Sequence, residues 1–313
     1  MKQHKIMSAS KEKKPKVVKP ITANRRINWQ KKRIRLYASE HYPEFNYHIY
    51  APSYGAEGLP VLVAVHGISH RAKEQARAFS AYAEQYGFVV VAPLFGRKNF
   101  PAYQRLGISK QSVPCYSDIA LNALLGELGK HTGALTQKVS LFGYSAGGQF
   151  VHRYAMAYPK RVHAVVTGAA GWYTFPDVHK SFPRGVCNRS KLRTLEFKPE
   201  QFLKIPMATL VGGEDNQNDS AFKRSASLDL QQGITRIERA ERWVKAMQEM
   251  AIHYGFNTRY EHDIMPLCGH SFSDCVEYGN LPEKVVNFLF ASCCQKSVLP
   301  NSQLTLEHFH SLA

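Results

Sequence analysis

The stretch KVSLFGYSAGGQF, residues 138–150, constrains the fold more than any other part of the chain. Alternating apolar residues run into three glycines grouped around Ser145, and a helix-compatible segment, AGGQFVHRYAMAYP, follows up to Pro159. Gly143 and Gly147 stand two residues before and two after the serine, where a sharp strand-to-helix bend brings backbones too close for a β-carbon. A serine at the tip of such a bend sits at strained backbone angles, which persist only where the surrounding structure enforces them. The spacing alone also suits an ordinary glycine-rich turn, so its context decides between the two.

The context is a regular alternation of strands and helices. FNYHIYAP (45–52) has strand periodicity, and LPVLVAVHG is a buried apolar strand ending at Gly67. Ala72, Ala76, Phe79, Ala83 and Tyr86 then recur at helical spacing before Gly87, and GFVVVAPLFG is a second core strand. SDIALNALLGELGK predicts a helix ahead of the KVSLFG strand, and HAVVTGAAG and MATLVGG predict two more strands. Ile237, Ala240, Val244, Met247, Ala251 and Tyr254 mark a helix closed by Gly255; TRYEHDIMP predicts a last strand and LPEKVVNFLFAS a closing helix. Such alternation implies right-handed crossovers and a mostly parallel sheet covered on both faces, with an antiparallel start in the tyrosine-rich strand. Ligands of such sheets bind beyond the carboxyl ends of the strands, where His66, Ser145, Asp215 and His270 all fall.

Charge and composition bound the rest. Residues 1–35 carry 13 Lys and Arg against Glu12 alone, so most of the net charge of +17 lies there. This predicts a flexible basic tail over 1–24, a folded domain over 25–294 and a featureless C-terminal tail over 295–313. The tail suits weak contact with an anionic surface; no dedicated nucleic-acid or membrane partner is expected. No apolar h-region follows the basic start and no apolar run reaches the ~20 residues of a membrane span, which predicts a cytoplasmic protein with reduced thiols. The six cysteines form no CxxC pair or metal-finger spacing, and HGISH offers two histidines with no further ligand cluster, so neither a metal nor a cofactor is expected. His66 precedes the serine and is expected to be a structural loop histidine.

A serine hydroxyl is a weak nucleophile at neutral pH and needs a histidine to take its proton and an acid to orient that histidine. LVGGEDNQND puts Asp215 just past a core strand, and PLCGHSFSD puts His270 in a loop before the final helix. Glu214, Asp219 and Asp177 are the alternatives for the acid. The amide of Ala146, at the first turn of the following helix, can donate to a developing oxyanion. A second donor is expected from the HGIS loop, at the amide of Ile68 or, failing that, Gly67.

GYSAGG, VAVHGIS, VGGED and CGHSF together resemble the α/β-hydrolase superfamily over roughly residues 45–290, and more narrowly the serine esterases related to polyhydroxyalkanoate depolymerases and feruloyl esterases. The resemblance implies Ser145 as nucleophile, His270 as general base and acid, and Asp215 as the orienting carboxylate. It implies cleavage of a small or oligomeric carboxylic ester through an acyl-enzyme. A peptidase or amidase on the same triad, or a catalytically silent binding protein, are the alternatives. The loop reads HGIS where many lipases have HGGG. Residues 172–205 interrupt the strand–helix rhythm and are expected to form a lid or substrate loop. Its Trp172, Tyr173, Phe175 and Phe182 line a pocket or form the loop's own small core.

Overall fold

The computed structural model describes residues 18–21, 29–109, 115–187, 195–216 and 222–294. Residues 1–17 and 22–24 of the expected basic tail, and the expected C-terminal tail, lie outside the described residues. Eight strands form one sheet: β1 (Arg35–Ala38), β2 (Asn46–Tyr50), β3 (Pro60–Val65), β4 (Val89–Pro93), β5 (Leu135–Tyr144), β6 (Val162–Gly168), β7 (Met207–Gly212) and β8 (Tyr260–Met265). Their spatial order is β1-β2-β4-β3-β5-β6-β7-β8. β2 runs antiparallel to both β1 and β4, and every pairing from β4 onward to β8 is parallel.

Period-2 patterning divides the core into two layers. Val61, Val63 and Val65 of β3 face one layer, which α2 (Ser117–Thr132), α3 (Ala146–Ala157), the short α4 (Pro199–Phe202) and α6 (Arg236–His253) cover. Leu62 and Ala64 face the other, covered by α1 (Ala72–Tyr86) and α8 (Leu281–Cys294), with Cys275 of the short α7 (Phe272–Glu277). In α1 the stripe Ala72, Ala76, Phe79 and Ala83 is buried as its spacing predicts, and Gly87 ends the helix at φ 75°. In α6, Trp243 joins Ala240, Val244, Met247 and Ala251 in the core. A further short helix, α5 (Ala226–Gln232), precedes α6.

The chain leaves β3 toward β4 on one side of the sheet and continues from β5 to β8 on the other. Loops following β3 and β5 therefore diverge at adjacent strands and open a crevice between them, the usual ligand position in open α/β sheets. β1 and the short helices α4, α5 and α7 were not expected. Pro20 bridges Ala38 and Ile21 is 3% exposed, so these two residues pack against the domain although they fall within the expected tail.

The start of the expected lid segment is also part of the core. The Tyr173 ring stacks on Trp243 at 4.8 Å, and Trp243 Nε1 donates to the Thr174 carbonyl at 2.8 Å. Tyr173 is fully buried. Phe182 instead stacks on Phe197 at 5.3 Å, and Phe197 packs against the edge of the same core.

Candidate active site

Ser145 stands between β5 and α3 at φ 55°, ψ −114°, a left-handed strained conformation that a non-glycine residue adopts only under constraint. The constraint is close packing of bare backbone. A Cβ on Gly143 would strike the Gly147 carbonyl, and one on Gly147 would strike the Val65 and His66 carbonyls at the end of β3. One on Gly148 would come within 3.1 Å of the Ala170 Cβ. The amide of Ser145 donates to the Gly168 carbonyl of β6 at 2.6 Å, which fixes the tip of the bend to the neighbouring strand.

The loop after β3 lies beside this tip. A Cβ on Gly67 would sit 3.3 Å from Ser145 Cβ and 3.9 Å from its Oγ. Ile68 follows in the same loop, and His70 turns the chain there at φ 57°. Ala146 opens α3, so its amide has no acceptor within the helix and lies at the positive end of the helix dipole.

Two loop ends from β7 and β8 interlock to bring the acid and the histidine together. The amides of Gly213 and Glu214 donate to the carbonyls of Met265 and Cys268 at 2.8 and 3.0 Å, and a Cβ on Gly212 would collide with the Cys268 carbonyl. His270 then places Nδ1 2.7 Å from Asp215 Oδ2 and Nε2 3.1 Å from Ser145 Oγ. A carboxylate only accepts, so Nδ1 carries the proton, and Nε2 is left to accept from the Ser145 hydroxyl. Asp215 is almost fully buried, whereas His270 keeps 27% of its side chain exposed. The Tyr144 ring lies 5.7 Å from the imidazole and its hydroxyl meets Cys275 Sγ at 3.4 Å, so the aromatic x of the G-x-S-x-G motif backs the histidine.

Two of the alternatives for the acid have other surroundings. Asp177 accepts from the amides of His179 and Lys180 within its own turn, and Glu214 is exposed. Asp219 lies outside the described residues. His66 is fully buried: its Nδ1 donates to the Gly67 carbonyl at 2.7 Å and its Nε2 accepts from the Phe95 amide at 3.0 Å. Burial pushes it down to about 4, so it is a neutral structural brace of the loop beside Ser145. Among the described residues, no group of three His, Cys, Asp or Glu side chains is placed to hold a metal ion. No described helix is long and apolar enough to cross a membrane.

The sequence reading missed Arg236. Its Nη1 donates to Asp215 Oδ1 at 2.7 Å, with both side chains nearly fully buried. Its guanidinium also lies 4.7 Å over the Phe222 ring. The signal was present, because Arg236 is the first residue of α6, where the helix dipole disfavours a cation and a tertiary partner is required to offset it.

Solved structures agree with this architecture. The chain is similar to poly(aspartic acid) hydrolase-1 from Sphingomonas sp. KT-1, at 25% identity and TM-score 0.66, over 77% of this chain and 93% of that one. It is similar to a poly(3-hydroxybutyrate) depolymerase from Bordetella parapertussis, at 23% identity and TM-score 0.66, over 84% and 92% of the two chains. It is also similar to a fluorophosphonate-binding serine hydrolase of Staphylococcus aureus, at 13% identity and TM-score 0.51, over 82% and 98%. No protein-family model and no curated protein matches the sequence. The fold is that of the α/β-hydrolases. Within that fold the chain resembles enzymes of the serine-hydrolase kind.

Proposed function

We propose that the protein is a serine carboxylesterase working through an acyl-enzyme. The observation that carries this reading is the continuous hydrogen-bonded series Asp215–His270–Ser145, with 2.7 and 3.1 Å links, at a strained serine. In this mechanism Ser145 Oγ attacks the ester carbonyl as its proton passes to His270 Nε2. Asp215 holds the imidazole in the Nδ1–H tautomer and stabilises the imidazolium. The amides of Ala146 and Ile68 receive the oxyanion, and loss of one such donor typically lowers kcat by about 10²–10³. His270 then protonates the leaving alcohol, and in the second half it activates water to release the acid. No cofactor enters the scheme.

Amide cleavage on the same three residues is the second reading, and the likeness to a poly(aspartic acid) hydrolase is the observation that favours it. A catalytically silent binding protein has no use for a strained serine bonded to a buried His–Asp pair. A panel of p-nitrophenyl esters, polyester oligomers and matched anilides, with Ser145→Ala as the blank, tests the assignment. Ester turnover abolished in the variant, and slower or absent anilide turnover, is expected. Anilides cleaved faster than esters would make the protein an amidase, and turnover that survives in Ser145→Ala would remove the site.

A further inference from the structure

Ser145, Gln149 and Arg153 are spaced four residues apart along α3 and share one helix face, with Arg153 about 12 Å of axial rise from the elbow. Arg153 is fully buried. Its Nε donates to Thr174 Oγ1 at 2.9 Å, and its Nη1 to Gln149 Oε1 at 3.2 Å and to the Gln104 carbonyl. The guanidinium lies 4.3 Å over the Trp172 ring. Nη2, although buried, has no acceptor.

No carboxylate among the described residues pairs with this cation; the charge that acts on it is a second guanidinium, Arg105. Burial first, and Arg105 second, hold Arg153 well below its ordinary value. Arg105 is half-buried and its Nε also lacks an acceptor. A third cation, the exposed Lys223, approaches the same Trp172 ring at 5.6 Å. A buried charge without a countercharge is costly, and a second like charge beside it adds repulsion. Pinning the loops that carry Gln104 and Thr174 uses only Nε and Nη1. Pinning therefore accounts for neither the open Nη2 nor the presence of Arg105, whereas a bound anion would account for both.

The turn that carries Arg105 is built under strain. Ala102 and Leu106, neither of them glycine, flank it at φ 56° and 57°. Strain of this kind gathers at ligand clamps. The same turn borders the catalytic crevice, since Tyr103 Oη donates to the His66 carbonyl at 2.8 Å. Trp172 follows β6, the strand to which the tip of the elbow is bonded.

We propose that Arg153, stacked on Trp172, and Arg105 form a subsite for a carboxylate carried by the substrate, so that the enzyme selects esters whose acyl chain ends in a carboxylate. The subsite rests on the esterase reading above. Arg153 Nη2 and Arg105 Nε supply charge-assisted hydrogen bonds to the incoming anion, whose charge offsets their mutual repulsion.

The test compares p-nitrophenyl hydrogen glutarate with its neutral methyl ester, and measures the rise in melting temperature on adding glutarate as a probe. In the wild type, kcat/KM favours the anionic ester by about tenfold or more at low salt. Arg105→Gln and Arg153→Lys bring that ratio toward one, whereas loss of a merely structural clamp would lower both rates in step and keep the ratio. A wild-type ratio at or below one, or a preference that survives both substitutions, overturns the subsite. If neither ester is cleaved, it is the esterase reading that fails. Glutarate then decides the subsite alone: stabilisation of the wild type that is lost in Arg105→Gln supports it, and no stabilisation of the wild type overturns it.

Discussion

Asp215 and Arg236 form a buried ion pair, with Nη1 2.7 Å from Oδ1 and side chains 1% and 3% exposed, while the other Asp215 oxygen faces His270. One carboxylate is thus held from both sides, and its orientation toward the imidazole depends on an arginine that opens a helix 21 residues further along the chain.

On the proposed mechanism, Arg236 is a positioning residue that acts through Asp215. Removing one partner of a buried pair costs about 3–5 kcal/mol because the other charge is left uncompensated. Arg236→Gln is expected to lower the melting temperature and to reduce kcat on a p-nitrophenyl ester by about one to two orders of magnitude, with KM little changed. Arg236→Lys should recover part of the kcat. A loss confined to KM would contradict this role.

The glycines separate into required and dispensable positions. Gly147→Ala forces a Cβ into the Val65 carbonyl and should displace the elbow, with loss of esterase turnover and of stability. Gly126 lies inside α2 with nothing within 4 Å of its would-be Cβ. Gly126→Ala should therefore stabilise the protein by about 0.5–1 kcal/mol through the reduced entropy of the unfolded chain. Urea unfolding of the two variants checks both directions.

Stability should fall on acidification because of the buried neutral histidines. His66 is pushed by burial to about 4 from an ordinary 6.5. Above the unfolded value both states are neutral and the full stability is present. As pH falls through it, the unfolded chain takes up a proton that folded His66 refuses, so stability is lost, on the order of 3 kcal/mol once pH reaches the folded value. His152, lowered by burial and then by Arg153, acts in the same direction. The urea midpoint at about pH 4.5 should lie below that at about pH 7.5. An NMR titration in which His66 protonates at its ordinary value would contradict this account.

Much of this arrangement was legible in the sequence because it is written in local patterns. The elbow glycines, the apolar strands and the α1 stripe each satisfy a steric or periodic requirement within a few residues. β1 escaped because it is a four-residue edge strand with only two residues buried, next to a run of basic residues. The helices α5 and α7 are too short for a repeating stripe to show. Tyr173 could not be sorted between pocket and core, since the partner that decides it, Trp243, lies on α6 at a distance only the fold closes. Arg153 was illegible for the same reason, and for Arg236 the helix-start position signalled only that a partner was needed, since which carboxylate it meets is a tertiary fact.

The central claim is that Ser145 is made nucleophilic by His270 across the 3.1 Å contact at the elbow. Labelling with a fluorophosphonate probe, followed by peptide mass mapping, tests it most directly. The account predicts a single modified site at Ser145, absent in Ser145→Ala and strongly slowed in His270→Ala. Labelling at another residue, or labelling of Ser145 at an undiminished rate without His270, would contradict it.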